Sequence, residues 1–297
     1  MEHISVLLKE TVDGLDIQKG DIIVDGTLGG GGHTYEIVKR FGSDVKVIGL
    51  DLDSDAIPRA EKRLKGLKHD TIFVNSGFQD IDKVLSDLKI NKVNKILLDL
   101  GLSSFQLEEA ERGFTFMKDQ PLLMTMQKEP KETDITASDI VNTWEEESIA
   151  DIIYGFGGEK YSRKIARAIV EARSVKEIKT TFELVEVIKS AVGGFYKKLK
   201  IHPATRTFQA LRIATNSELV NLQTVIEKGF HVLEKDGVMA IVSFHSLEDR
   251  IVKHEFIKLK EENKANIITK KPIIPSEEEI INNPRSRSSK LRIIKKI

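Results

Sequence analysis

The hydrophobic positions of this chain change rhythm twice. From residue 21 to about residue 100, short apolar runs alternate with amphipathic stretches, the pattern of βαβ units that build a parallel sheet. Asp21 to Asp25 reads as a first strand, and the glycine loop Gly26 to Gly32 leads from it into a helix that runs to about Arg40. Val45 to Leu50 is a second strand that stops at Asp51, after which Asp53 or Ser54 caps a helix that accepts Pro58 in its first turn. Thr71 to Asn75 is a third strand. Lys95 to Leu100 is a fourth, apolar on both faces and closing on Asp99.

Between Glu108 and about Lys200 the periodicity turns helical. Ser162 to Arg173 places Ile165, Ala168, Ile169 and Ala172 on one face, with Arg163, Lys164, Arg167 and Arg173 elsewhere. Thr181 to Val192 predicts a second helix that ends at Gly193-Gly194. From about Thr205 one long amphipathic helix is expected, with Phe208, Leu211, Leu219, Leu222, Ile226, Phe230 and Leu233 as its stripe, ending at Lys235-Asp236-Gly237. Val238 to Phe244 then supplies another buried strand, and Glu277 to Asn283 is a loop or a short helix. The simplest architecture is a doubly wound α/β core formed by 1–107 and 201–297, interrupted by an all-helical insertion at 108–200 on the substrate side.

Composition narrows the chemistry. The 297 residues, 40% of them hydrophobic, suffice for one or two cores. With no cysteine, disulfides, thiolate nucleophiles and zinc-thiolate sites are excluded, leaving seven histidines and the carboxylates as possible metal ligands. Glu2, Lys9, Glu10 and Asp13 interrupt any apolar run near Met1, and no later stretch reaches the ~20 apolar residues of a membrane span, so a cytoplasmic location is expected. A formal net charge of zero argues against a protein that coats nucleic acid, so any RNA affinity must come from local clusters. The clearest runs from Pro284 to Ile297, where Arg285, Arg287, Lys290, Arg292, Lys295 and Lys296 occur without an acid; it is either a phosphate-binding tail or a solvated one.

In an open α/β sheet, ligands bind beyond the carboxyl ends of the strands, where the Gly26 to His33 loop, Asp51 and Asp99 should meet. Glycines admit a ligand close to the backbone, and an acid ending the next strand can accept both hydroxyls of a ribose; as a rival, Asp51 is a cap or turn acid. The G-x-G-x-x-G fingerprint fails, because Thr34 or Tyr35 stands where its last glycine belongs, and His33-Thr34 replaces the lysine of a P-loop. Cofactors with phosphates are therefore disfavoured, whereas S-adenosylmethionine has a ribose and an adenine but no phosphate. Phe78 either stacks on an adenine or belongs to the core. His245, just past a strand, is either structural or part of a substrate site.

Longer strings carry a resemblance. They are Asp25-Gly26-Thr27-Leu28-Gly29-Gly30-Gly31-Gly32-His33, Asp99-Leu100-Gly101-Leu102-Ser103-Ser104, Glu111-Arg112-Gly113-Phe114-Thr115-Phe116, His202 to Ile213, Ser243 to Arg250 and Asn283 to Ser288. In this order and over nearly the whole length, the chain resembles the bacterial 16S rRNA cytosine-N4 methyltransferases. The resemblance implies a class I methyltransferase (Rossmann-like) core with a helical insertion, S-adenosylmethionine as cofactor, and a cytidine in the decoding region of the small subunit, or of its late assembly particle, as substrate. It implies Gly31, Gly32, His33, Asp51, Phe78, Asp99 and Gln106 as cofactor contacts, with Asp99 also facing the target amine. Arg112, Arg206, Arg212, Arg250 and His245 are candidates on the RNA side. The chain departs from the family where Gly-Pro-Leu-Asp-Met-Arg-Met is usual: Gln120-Pro121-Leu122-Leu123-Met124-Thr125-Met126 lacks both an acid and an arginine, and Phe105 replaces a common proline. Two rival functions share these features, amino-methylation of another nucleic acid and a ribosome-assembly factor that keeps the cofactor without using it.

Overall fold

The computed structural model describes residues 5–198 and 201–297. It divides into two compact units, Met1–Gly101 with Leu219–Ile297, and Leu102–Glu218.

In the first unit the chain order is α1 (Leu8–Gly14), β1 (Ile22–Asp25), α2 (Gly32–Phe41), β2 (Lys46–Asp51), α3 (Ala56–Leu64), β3 (Asp70–Asn75), α4 (Ile81–Asp87) and β4 (Val93–Asp99). The second unit holds α5 (Ser104–Glu108), α6 (Ala137–Thr143), α7 (Glu146–Gly157), α8 (Ser162–Val175), α9 (Thr181–Val192) and α10 (Thr205–Thr215). The first unit then resumes through α11 (Glu218–Val232), β5 (Leu233–Ser243), α12 (Ser246–Glu261), β6 (Ala265–Ile267), α13 (Glu277–Asn282) and β7 (Lys290–Lys296).

The seven strands form one sheet in the order β3-β2-β1-β4-β5-β7-β6. All neighbours from β3 to β5 are parallel, and β7 runs antiparallel to both β5 and β6. Consecutive residues serve opposite faces, as strand geometry requires. Val24, Ile48, Ile96 and Leu98 pack with Leu222, Ile226, Phe230, Val252 and Phe256. Ile23, Val47 and Leu97 pack with Leu7, Ile37, Val38, Val238 and Ala240 on the other side. This double covering is why the strands read as continuous apolar runs, and it is the class I methyltransferase sheet expected from the sequence.

The second unit has its own core, in which Ile149 and Ile153 of α7, Ile165 and Ile169 of α8, Leu184 and Ile188 of α9, and Phe208 and Leu211 of α10 are buried together. Among the described residues it contains no strand, only an isolated bridge between Pro121 and Thr180. It is wider than the segment 108–200, because α5 and α10 belong with it, and residue 200 lies outside the described residues.

Three features differ from the sequence pattern. The single long helix expected from Thr205 is two helices, broken at Asn216-Ser217, where Ser217 adopts φ 48°. An amphipathic stripe continues across the break, so periodicity does not reveal it. The strand after α11 begins at Leu233, ahead of the Lys235-Asp236-Gly237 turn, and pairs with β4 through a register shift between Val93 and Lys95.

The third difference concerns the basic terminus, whose last four cations lie in β7 within the sheet. Leu291, Ile293 and Ile294 are buried, and Arg292 Nε donates to Asp249 Oδ1 at 2.7 Å while Lys290 Nζ donates to Oδ2 at 2.8 Å. Lys295 pairs with Asp236 at 3.2 Å, and Lys296 Nζ donates to the carbonyls of Phe230 and Leu233. These cations hold the strand in place, and the RNA-binding tail reading is corrected accordingly. None of the described helices is long and apolar enough to cross a membrane.

Burial pushes the Asp249 carboxyl up, but its hydrogen bonds to Arg292 and Lys290 outweigh this and hold it below the usual carboxylate range. Its contribution to stability is therefore complete at neutral pH and lost as the pH falls through that depressed value. Asp249→Ala leaves Arg292 buried without its carboxylate and should destabilise the fold by roughly 3 kcal/mol. Urea unfolding at neutral pH checks this, and an unchanged midpoint would show that the pair contributes nothing.

Candidate active site

The strand order reverses between β1 and β4, the switch point at which open α/β sheets bind ligands. β1 ends on Asp25, β2 on Asp51 and β4 on Asp99, and the glycine loop leaves β1 beside them. Leu28 N donates to Leu50 O at 2.9 Å, and Asp99 N donates to Thr27 Oγ1 at 2.6 Å, so the loop is tied to both neighbouring strands.

Asp51 organises the loop. Its Oδ2 accepts from Gly29 N at 2.7 Å and its Oδ1 from Asp53 N at 2.8 Å. Gly29 reaches it at φ 50°, and Gly31 starts α2 at φ 71°, conformations that side chains resist. At Gly31 a Cβ would also lie 3.0 Å from Ala60 Cβ of α3. The helix-capping role expected of Asp53 or Ser54 takes another form: Asp53 accepts from Asp55 N and Ala56 N before α3, while the N-cap residue Asp55 makes no side-chain cap.

Asp25 is the residue that sequence reasoning passed over. It is buried, its Oδ2 accepts from Thr34 Oγ1 at 2.7 Å and its Oδ1 from Thr27 N at 3.2 Å. Burial pushes its carboxyl up to about 6, against the pull of those hydrogen bonds, and burial likewise pushes Asp51 up to about 6. The Asp99 carboxyl is held well above the usual carboxylate range, through burial and then the charges of Asp25, Glu248 and Glu279. One Asp99 oxygen, Oδ2, lies 3.6 Å from Nδ1 of the buried His33; the other, Oδ1, is buried with no hydrogen-bond partner. Phe78 is partly buried against the sheet core, beside Gly26: a Cβ on that glycine would stand 3.2 Å from Phe78 Cβ. The geometry thus brings Gly31, Gly32, His33, Asp51, Phe78 and Asp99 to one end of the sheet.

Gln106 lies in the second unit. Its Oε1 accepts from Ser103 N at 2.9 Å and Ser103 Oγ accepts from Gln106 N at 3.2 Å, a reciprocal cap for α5.

The RNA-side candidates divide. Arg112 is buried and donates to Met126 O at 2.9 Å, so it holds its own loop rather than offering a cation to solvent. Arg212 is committed to both oxygens of Glu218 at 2.8 Å. His245 is the N-cap of α12, accepting from Glu248 N while the Glu248 carboxylate accepts from the amides of Phe244 and His245; this favours its structural reading. Arg206 is partly exposed, with Nη1 3.9 Å from Glu159, and Arg250 is exposed. In the departing loop, Gln120 Oε1 accepts from Gly113 N at 3.1 Å, Leu123 is partly buried, and Thr125 is buried with an unpartnered hydroxyl. An arginine at 125 would enter a closed space, and its loss together with the acid at 123 leaves no single charge stranded there.

The chain is similar to known proteins over its whole length. The ribosomal RNA small subunit methyltransferase H of Clostridium botulinum (strain Kyoto / Type A2) is 48% identical over 311 residues, covering 100% of this chain and 99% of its own. The protein of the same name from Sulfurihydrogenibium sp. (strain YO3AOP1) is 47% identical over 297 residues, with 100% of both chains covered. A solved rRNA methylase from Streptococcus thermophilus aligns at a TM-score of 0.45 and 11% identity, covering 98% of this chain and 93% of that one, too distant to carry an argument. With a family match that extends over residues 1–297 as well, the chain belongs to the MraW methylase family.

Proposed function

We propose that this protein is a cytoplasmic enzyme that transfers a methyl group from S-adenosylmethionine to the exocyclic N4 amine of a cytidine in the decoding region of 16S ribosomal RNA, in the small subunit or its late assembly particle. The small subunit as target rests on the relatives' names. The observation that carries the amine chemistry is Asp99, a carboxyl at the switch point with one buried oxygen left without a hydrogen-bond donor.

The residues fit the cofactor. Each oxygen of Asp51 accepts one backbone amide and retains a lone pair for a ribose hydroxyl. Three carboxyls whose ionisation is opposed by burial suit a ligand that brings positive charge. Phe78 offers a ring for the adenine, and the Gly31-Gly32-His33 turn lets the backbone close on the ligand. When bound, S-adenosylmethionine supplies an electrophilic methyl group on a cationic sulfur.

The chain's own task is positioning. An exocyclic amine is a weak nucleophile because its lone pair is delocalised into the ring. By accepting an N–H of that amine, Asp99 orients the lone pair, and it takes up the proton that the methylated nitrogen sheds. Its raised pKa suits this role, since it binds a proton more tightly than an ordinary carboxylate. His33, 3.6 Å from the other Asp99 oxygen, keeps the carboxyl in place. The target base must leave its stack to reach this site. Incubation of small-subunit particles with S-adenosylmethionine and the protein, followed by mass spectrometry of the nucleosides, tests the whole reading: N4-methylcytidine is expected, and methylation of another nucleoside or none refutes it.

Three further outcomes are expected. Asp51→Ala should weaken S-adenosylmethionine binding by about 1.5 kcal/mol, as for loss of a charged hydrogen bond, and calorimetry measures it; wild-type affinity would reduce Asp51 to an organiser of the loop. Asp99→Asn keeps the shape but removes the charge, so the single-turnover rate should fall much further than cofactor affinity. An equal fall in both would make Asp99 a cofactor residue alone.

The last outcome concerns pH. Burial raises the Asp25 and Asp51 carboxyls to about 6 and holds Asp99 well above the usual carboxylate range, so a cationic ligand must displace protons bound there. Affinity should rise as the pH is raised from 5 through 7, with net proton release that calorimetry in buffers of different ionisation enthalpy detects. An affinity constant across that window would show that these carboxyls do not sense the cofactor.

A further inference from the structure

The second unit holds a cavity of about 290 Å³ between α7 and the start of α8, close to the ~300 Å³ at which ligand sites begin. Two small buried residues, Ala150 and Ser162, line its inner side and leave the space open. Tyr154 lines it as well and is 65% exposed, a large ring left in water. Lys160, Arg163 and Lys164 surround it, against one acid, Asp151.

Packing does not account for this combination. The first turn of α8 contains Arg163 and Lys164 and no acid, and its N-cap residue Tyr161 makes no side-chain cap. Cations at this end oppose the helix dipole, which favours anions there. One turn on, Arg167 approaches Glu146 at 3.6 Å, and Lys164 lies 5.9 Å from the Tyr161 ring centre. Lys160 and Arg163 are exposed and, among the described residues, take part in no ion pair. An exposed ring next to unspent cations is the combination by which proteins hold single-stranded nucleic acid, through base stacking and phosphate contact. An acidic peptide would satisfy the cations yet leave the ring without a flat partner.

We propose that this pocket is a subsite for one unstacked nucleotide of the RNA substrate, in single-stranded form. Tyr154 stacks on the base, Lys160 and Arg163 contact the phosphates on either side, and Asp151 accepts a hydrogen bond from a base N–H. The subsite rests on the RNA-methylation reading above, and its test is separate. Binding of a fluorescein-labelled single-stranded oligoribonucleotide is followed by anisotropy over a range of salt. Tyr154→Ala should weaken it about tenfold, whereas Tyr154→Phe retains the stack and should bind like wild type. The pair Lys160→Gln and Arg163→Gln should lower the salt slope by about 1.4, at roughly 0.7 per contact on a single strand. All these variants should keep wild-type melting temperature and cofactor affinity, which separates a lost contact from a damaged fold. Wild-type affinity and salt slope in the variants overturn the proposal. Weaker binding to intact small-subunit particles with unchanged binding to naked RNA also overturns it, in favour of a protein partner. If the variants behave as expected while the wild type methylates no RNA, the activity reading fails and the subsite stands; methylation by a protein whose pocket variants bind RNA normally sinks the subsite alone.

Discussion

Like charges do not share a low-dielectric space willingly, and this chain places an aspartate at the end of each of three parallel strands around one switch point. The local structure follows from containing that repulsion. Thr34 and the Thr27 amide are committed to Asp25, while the Gly29 and Asp53 amides are committed to Asp51. The glycine loop takes its shape because its amides must turn inward toward a carboxylate, which at Gly29 requires a positive φ. What remains unbalanced is the Asp99 oxygen without a donor.

Much of the first unit was legible in the sequence because both faces of its sheet are covered, so strands appear as apolar runs bounded by acids or glycines. The ends at Asp25, Asp51 and Asp99 could be read directly, and Thr181–Val192 agrees with α9 at both ends. Asp25 escaped notice as chemistry since a strand-terminal acid looks like a turn residue until its burial is known; the signal available was its equivalence to Asp51 and Asp99. The break at Ser217 was invisible because the amphipathic stripe is continuous on either side. β7 was hidden by composition: a four-residue core, Leu291 to Ile294, is flanked and interrupted by cations that look solvated in one dimension and find partners only in three.

The same distinction governs the basic residues as a group. An arginine beside a family motif looks like an RNA contact, yet Arg112 and Arg212 are spent on Met126 and Glu218. His245 similarly serves the start of α12. In a chain of zero net charge, cations available for phosphate are those that folding has not already consumed, and they are recognised by exposure rather than by proximity to a motif. Arg250, Lys160 and Arg163 satisfy that condition.

The pairing of β4 with β5 joins segments between which the whole helical unit is written. A contact so distant along the chain forms slowly, since closing the intervening loop costs entropy before any hydrogen bond repays it. The helices between are built from near neighbours, with α7, α8 and α9 following one another through short connections. They can acquire structure while β4, already able to pair with β1, still lacks β5. The helical unit therefore need not wait for the sheet to close, and neither need the crevice of the three aspartates, since β1 pairs with β2 and β4 within the chain that precedes that unit.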